Sequence, residues 1–382
     1  MLSKRTRRLL ISLGTLGVGE VIAGLTLQTS IEILALYPVF LMLIPGLMDM
    51  RGNVYGALGY RLTTALHIGE VEPRILTRYN LYNVLTGYSV TVIATLALTI
   101  LSYAISVSLR VETPDLITLS FISVSSSTLV FLILTPVTTI SIIYLFKTGR
   151  DPTDFVASIV TGVGDALTPF TFITVSLLFE AIPAYMRALV VSLLLSLGLA
   201  FTYALWRGNE GRPLFENAVS SVAASFGSSL GGLALATRTA TLLKLPLILG
   251  SLPAFNALLG AATGIFGNDL SIKLHLGSHS PLRSQLQTLR QVGLTTFTAI
   301  ILSIIVVSAL TSTPVGEVVL SALILAVAYP LIFTLASLLT YYLTKTSFTK
   351  GWNPDNIVFP LMTTFVDLTG PIVISSIALT VV

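Results

Sequence analysis

The chain has 382 residues, of which 54% are hydrophobic and only 10% are charged, and it contains no cysteine. Soluble domains carry roughly 25% charged residues, because polar side chains have to cover their surface. The composition therefore excludes a soluble globule, disulfides and cysteine-bound metal, and it predicts an all-α polytopic membrane protein. We assign the net charge of +4 to loops at one membrane face and expect no nucleic-acid binding.

Long apolar runs bounded by charges and by Pro/Gly clusters recur along the whole chain. A membrane-spanning helix needs about 20 mostly apolar residues, and on that basis we predict about eleven spans. The first follows Lys4, Arg5, Arg7 and Arg8 and is too long for the apolar core of a signal peptide, so we expect it to be retained. The predicted spans are 9–27, 33–66, 80–109, 117–146, 153–179, 188–206, 214–236, 245–276, 291–310, 317–344 and 356–381. Two of them are over-long, and we expect a kink or break at Pro45 or Pro253.

The basic residues predict the orientation of these spans. Most of the 21 Lys and Arg residues fall in loops on the side of the N-terminus, and only Arg110, Arg187, Arg238 and Lys244 fall in loops on the other side. Basic loops stay in the cytoplasm. We therefore expect a multi-pass protein of the cell membrane, in contact with the lipid bilayer, with its N-terminus cytoplasmic and its C-terminus outside.

The sequence contains an internal repeat. One constant shift along the chain aligns Pro45 with Pro253, Gly52 with Gly260, Gly56 with Gly264, and His67 with His275. A slightly smaller shift aligns the last span of each half: Thr161 with Thr363, Asp165 with Asp367, and Pro169 with Pro371. An ordered set of matches at one shift is far stronger evidence than any single glycine or proline.

The repeat predicts a 5+1+5 architecture. The first five-helix repeat would be 1–182, a linker transmembrane helix would lie in 183–212, and the second repeat would be 213–382. Five is an odd number of spans, so the linker span is needed to give both repeats the same orientation. We expect parallel repeats related by a pseudo-twofold axis along the membrane normal, with a central pathway on that axis.

Two intramembrane carboxylates, Asp165 and Asp367, are the strongest functional candidates. An ionisable residue within a span costs roughly 2.5–3.5 kcal/mol on insertion scales, so it is a functional candidate by default. Each one ends a polar stripe on one helix face. The stripes are Asp154, Ser158, Thr161 and Asp165 in the first half, and Asn356, Pro360, Thr363 and Asp367 in the second. The alternative is that each Asp only hydrogen-bonds within the structure or pairs with an Arg.

Two facing stripes of this kind suit Mg²⁺. We expect Mg²⁺ to be the transported ion and not a cofactor. Mg²⁺ prefers oxygen ligands and usually keeps several waters while it binds one or two carboxylates. The sequence has no His/Cys cluster that would favour a softer metal. We therefore expect divalent metal ions as the substrates.

A second set of candidates lies on the first two helices. Asn53 follows a Pro/Gly-rich stretch and could line a pore, whereas the neighbouring glycines could equally serve helix packing. Glu20 and Asp49 could form a second cation or proton site, or they could instead pair with Arg51 or Arg61. The two halves differ here, because Asn53 aligns with Ala261 and Asp49 with Ala257.

These stretches resemble the MgtE-type magnesium transporters, especially the two-repeat relatives known as solute carrier family forty-one. The family's second-helix signature is matched by Pro45, Gly52-Asn53 and Arg61-Leu62-Thr63-Thr64. Its final-helix signature is matched by Asn353-Pro354-Asp355-Asn356, Pro360, Thr363 and Asp367, and a first copy by Asp151-Pro152-Thr153-Asp154, Thr161 and Gly164-Asp165. The resemblance implies a Mg²⁺ pathway between the halves with Asp165 and Asp367 holding the ion. It also implies a monomer that functions as a fused pseudo-dimer.

Two other functions remain open from the sequence. One is a Na⁺- or H⁺-coupled carrier of another solute, in which the paired Asp residues bind the coupling ion. The other is a membrane-embedded enzyme acting on a lipid. Such an enzyme should place its polar groups at one membrane face. Because Asp165 and Asp367 lie within spans and match across the repeat, we expect a transporter and not an enzyme.

Overall fold

A computed structural model describes residues 4–149, 152–208, 211–275, 285–350 and 354–381. These residues form thirteen α-helices, and a short 3-10 turn, Phe179–Ala181, follows the sixth. The helices are Lys4–Thr29 (α1), Ile31–Leu36 (α2), Val39–His67 (α3), Arg78–Leu109 (α4), Leu116–Lys147 (α5), Thr153–Leu178 (α6), Ala184–Arg207 (α7), Gly211–Ala236 (α8), Thr239–Lys244 (α9), Pro246–His275 (α10), Leu286–Leu310 (α11), Val315–Thr349 (α12) and Pro354–Val381 (α13).

In the part of the chain that the structure describes, nine helices are long and apolar enough to cross a membrane: α4 to α8 and α10 to α13. This confirms the all-helical class and a multi-pass membrane protein. The two other predicted spans correspond to α1 and to α3. The middle of α3 carries Asp49, Arg51 and Asn53, which lower its mean hydropathy. The exact set of eleven spans therefore stays a prediction.

The order of the helices repeats along the chain. In both halves a long helix is followed by a six-residue helix, α2 or α9, and then by a long helix that ends at His67 or His275. The predicted break at Pro45 or Pro253 is wrong, since α3 and α10 run through these prolines as continuous helices, whereas the alternative of a kink there stays a prediction. The interruption comes earlier, next to Pro38 and Pro246, because a proline at a helix start sacrifices no intrahelical hydrogen bond.

One compact unit consists of Met1–Ala35 and Leu230–Val382. Within it, α1 packs against α10 and α11. The contact with α10 is a close backbone approach, because a Cβ built on Gly24 would collide with the carbonyl oxygen of Gly250. At the end of α1, the Gln28 amide donates to the hydroxyls of Thr311 and Thr313 at 3.2 Å each. The first helix of the chain is thus packed with helices of the second half.

The other compact unit is Leu36–Ser229. In it, α3 packs against α4, α5 and α6. The first part of α8 also lies on α3, because a Cβ on Gly46 would collide with the Ser229 hydroxyl and meet the Ser225 carbonyl. The first helix of the second predicted repeat therefore contacts the first half. One unit thus contains α1, from the first half of the sequence, and the other contains α8 up to Ser229, from the second half.

The predicted linker span is present as α7, which packs against α4 and α5. Asp115 caps α5 by accepting hydrogen bonds from the backbone N–H groups of Ile117 and Thr118. The Thr118 hydroxyl also donates to Asp115 and accepts from Arg187 of α7, at 2.5 Å each. Burial raises the pKa of Asp115, but these hydrogen bonds and the Arg187 charge outweigh it and hold the pKa below its ordinary value.

Candidate ion-binding site

Asp165 lies in the middle of α6, where α6 packs against α3 and α5. Its neighbour Gly164 allows a close approach to α5, since a Cβ there would lie 3.3 Å from a methyl group of Leu134. Thr168 is buried and donates to the Gly164 carbonyl at 2.6 Å. Asp165 and Thr161, one turn earlier, are both partly exposed. A helix fixed by tight packing on one side therefore presents two oxygen-bearing side chains that are still accessible.

Asp367 lies in the middle of α13, the counterpart of α6 in the second half. Here α13 packs against α10 and α12, and a Cβ built on Gly231 of α8 would collide with the Asp367 carbonyl oxygen. A Cβ on Gly260 of α10 would approach the methyl group of Thr363 to 3.3 Å. Both Thr363 and Asp367 are partly exposed. The helix pairs α3/α6 and α10/α13 thus present a Thr and an Asp in the same way.

The sequence suggests Glu20 or Asp49 as the partner of the cation Arg51. In the structure its guanidinium is fully buried, and its Nη2 atom donates to the hydroxyl of Ser127 on α5 at 3.4 Å. Asp165 is close enough to act on this guanidinium electrostatically. More than one hundred residues separate Arg51 from Asp165 in the sequence, and no local pattern relates them.

Asp49 and Asn53 are partly buried on α3. Asp49 accepts a hydrogen bond from Ser228 of α8, and the Asn53 amide donates to the Asp49 backbone carbonyl at 3.2 Å. Glu20 is buried on α1 and belongs to the other compact unit. The structure therefore gives Asp49 a hydroxyl partner in its own unit, and the joint site with Glu20 stays a prediction.

The remaining parts of the two polar stripes lie at the helix starts. The side chains of Asp154 and Asn356 fall outside the residues whose side chains the structure describes. Within the described residues, no group of three or more His, Cys, Asp and Glu side chains is arranged to hold a metal ion. Of the described candidates, Asp165 and Asp367 each follow a threonine, Thr161 or Thr363, by one helical turn.

The glycines near Asn53 do not serve the tight packing that their spacing allows. A Cβ built on Gly52 or Gly56 of α3 would meet no atom within 4 Å, and the same holds for Gly162 of α6. By contrast, Gly260 and Gly267 of α10 meet Thr363, Thr340 and Val358. Helix packing through small residues is thus confirmed for Gly260 and not for Gly52 or Gly56.

A family model of divalent cation transporters, MgtE, matches the chain twice, over residues 44–175 and 252–377. The two regions cover more than half of the sequence. The chain belongs to the MgtE family. Each region contains one of the carboxylate-bearing helix pairs, α3/α6 or α10/α13, and the double match agrees with two repeats in this MgtE chain. The family is one of transporters and not of enzymes. No curated protein and no solved structure matches the chain.

Proposed function

We propose that this MgtE chain transports Mg²⁺ across the membrane, with Asp165 and Asp367 contributing to one ion position. The observation that carries the proposal is the duplicated arrangement itself. Each region matched by the family contains a helix, α6 or α13, that presents one partly exposed carboxylate and, one turn earlier, one partly exposed threonine. An intramembrane carboxylate is stable only if it has a partner or a water-filled pathway.

The available groups are those that a partly hydrated Mg²⁺ ion requires. Two carboxylates balance its charge, while neutral oxygens and retained waters complete an octahedron at about 2.0–2.1 Å. Thr161 and Thr363 supply hydroxyls beside the carboxylates, and Asp154 and Asn356 extend both stripes toward the cytoplasm. The open glycine face of α3 beside Asn53 gives a partly hydrated ion room along the same pathway. Asp49 and Glu20 are secondary candidates along it.

The sequence repeat sets the proposed architecture of the transporter. Residues 1–182 and 213–382 form parallel repeats about a pseudo-twofold axis along the membrane normal, and 183–212 carries the linker span. The pathway runs between the repeats, so a single chain is the functional pseudo-dimer. The N-terminus is cytoplasmic and the C-terminus is outside. The repeated order of the helices and the double family match support this arrangement.

The proposal predicts Mg²⁺ uptake by proteoliposomes that contain the full chain, followed with an entrapped Mg²⁺-sensitive dye. Uptake should exceed that of empty liposomes and should proceed without a Na⁺ or H⁺ gradient across the membrane. Uptake that requires one of these gradients would favour a coupled carrier. If liposomes with the full chain take up no more Mg²⁺ than empty liposomes, with or without these gradients, the proposal is contradicted.

A further inference from the structure

Arg51 is the largest fully buried side chain of the described residues and lies near the middle of α3. Its Nη2 atom has the single hydrogen bond to Ser127, while its buried Nε and Nη1 atoms have no hydrogen-bond partner. A buried charge without full hydrogen bonding is costly and persists only where an opposite charge compensates it. Asp165 supplies the nearby negative charge.

The position of Arg51 is fixed by hydroxyl groups between α4 and α5. The Ser127 hydroxyl, which accepts from Arg51, also accepts a hydrogen bond from Thr95 at 3.1 Å. Both hydroxyl residues are buried, and Thr95 in turn contacts the sulfur of Met50, the neighbour of Arg51, at 3.7 Å. The guanidinium is therefore held in place by a hydroxyl pair that links α4 and α5.

The second half has no equivalent cation on its second helix. The shift that aligns Gly52 with Gly260 places Leu259 at the position of Arg51, and Leu259 is fully buried on α10. The two carboxylates of the proposed ion position therefore differ in their surroundings. Asp165 is near the cation Arg51, whereas α10, which packs against the helix of Asp367, carries Leu259 at the equivalent position.

We propose that Arg51 is a tethered cation that competes with the transported ion for Asp165 and so limits how tightly the ion is held. This inference rests on the proposed function. When Mg²⁺ is absent, Arg51 compensates the Asp165 carboxylate. When Mg²⁺ arrives, two cations share that carboxylate, and their repulsion promotes release of the ion. Transport needs binding that is strong enough for entry and weak enough for exit. A fixed positive charge beside the site weakens the binding of the ion and so allows its exit.

The test replaces Arg51 by Leu, the residue of the second half, and by Gln, which keeps a donor for Ser127 but carries no charge. We expect Mg²⁺ to bind both variants about tenfold more tightly than wild type, since a unit positive charge that acts on the Asp165 carboxylate is removed. In proteoliposomes the Mg²⁺ concentration for half-maximal uptake should fall together with the maximal rate. If Arg51 served only to stabilise α3, its replacement would lower the thermal stability without tightening Mg²⁺ binding.

Two further variants serve as controls. Arg51→Lys keeps the charge, so its Mg²⁺ affinity should stay within about threefold of wild type. In an Asp165→Asn background, Arg51→Leu should not restore high-affinity Mg²⁺ binding, because the carboxylate that the two cations share is gone. Unchanged or weaker Mg²⁺ binding by both Arg51→Leu and Arg51→Gln, with wild-type uptake intact, would overturn the inference and leave the proposed function standing. A wild-type chain that neither binds nor transports Mg²⁺ would overturn both.

Discussion

Replacing either Asp165 or Asp367 by Ala should abolish Mg²⁺ uptake into proteoliposomes while leaving the protein folded. Loss of an outer-sphere partner of a bound metal costs roughly 10–100-fold in affinity or activity, and loss of a carboxylate that contacts the ion should cost at least that much. Each change should be sufficient alone, because the proposed position uses both carboxylates. Uptake is measured with the same entrapped dye, and folding is checked by size-exclusion chromatography in detergent.

Asp115→Asn is the matched control for these variants. Asp115 is also a carboxylate at a helix, but it caps the start of α5 and hydrogen-bonds to Thr118, and it belongs to neither polar stripe. Its replacement should leave Mg²⁺ uptake close to wild type, at some cost in thermal stability. If Asp165→Ala or Asp367→Ala transports as well as this control, the carboxylate concerned takes no part in the pathway.

Gly24→Ala should destabilise the protein, and by more than Gly17→Ala on the same helix. The new Cβ would collide with the carbonyl oxygen of Gly250, which belongs to the backbone of α10 and cannot rotate away. Overpacking of this kind costs typically about 1–3 kcal/mol, and occasionally more when it displaces backbone. We expect a lower midpoint of thermal unfolding in detergent and a smaller yield of monodisperse protein.

Gly17→Ala, on the same helix, provides the comparison. A Cβ on Gly17 would meet no atom within 4 Å, so this change should be neutral or should stabilise α1 by up to about 1 kcal/mol through its helix propensity. The two variants differ only in where the methyl group points. Equal unfolding midpoints for them would show that α1 does not pack on α10 as described.

The sequence predicted those features of the fold that composition and periodicity determine. Low charge content and long apolar runs indicate membrane helices directly, and the ordered Gly, Pro, His and Asp matches revealed the repeat. The predicted break fell at Pro45 or Pro253, whereas the helices are interrupted next to Pro38 and Pro246. The reason is that a proline is compatible both with a kinked helix interior and with a helix start. Hydropathy alone does not distinguish these positions.

The packing partners of α1 and of Arg51 could not be read from the sequence. The contact between α1 and α10 depends on Gly24 and Gly250 meeting face to face, and neither glycine differs in hydropathy from others that meet nothing. The sequence offers Glu20 and Asp49 as partners of Arg51, and it gives no sign that Asp165, 114 residues further along the chain, acts on its charge. Such contacts are set by three-dimensional packing, which carries no local signal.

The number of Mg²⁺ ions bound per chain tests most directly whether Asp165 and Asp367 act on the same ion. Isothermal titration of the detergent-purified protein with MgCl₂ should show one high-affinity ion per wild-type chain, and none for either Asp165→Ala or Asp367→Ala. Asp115→Asn should still bind one ion. Two ions per wild-type chain, with one of them retained after each single replacement, would mean separate sites and would contradict a shared ion position.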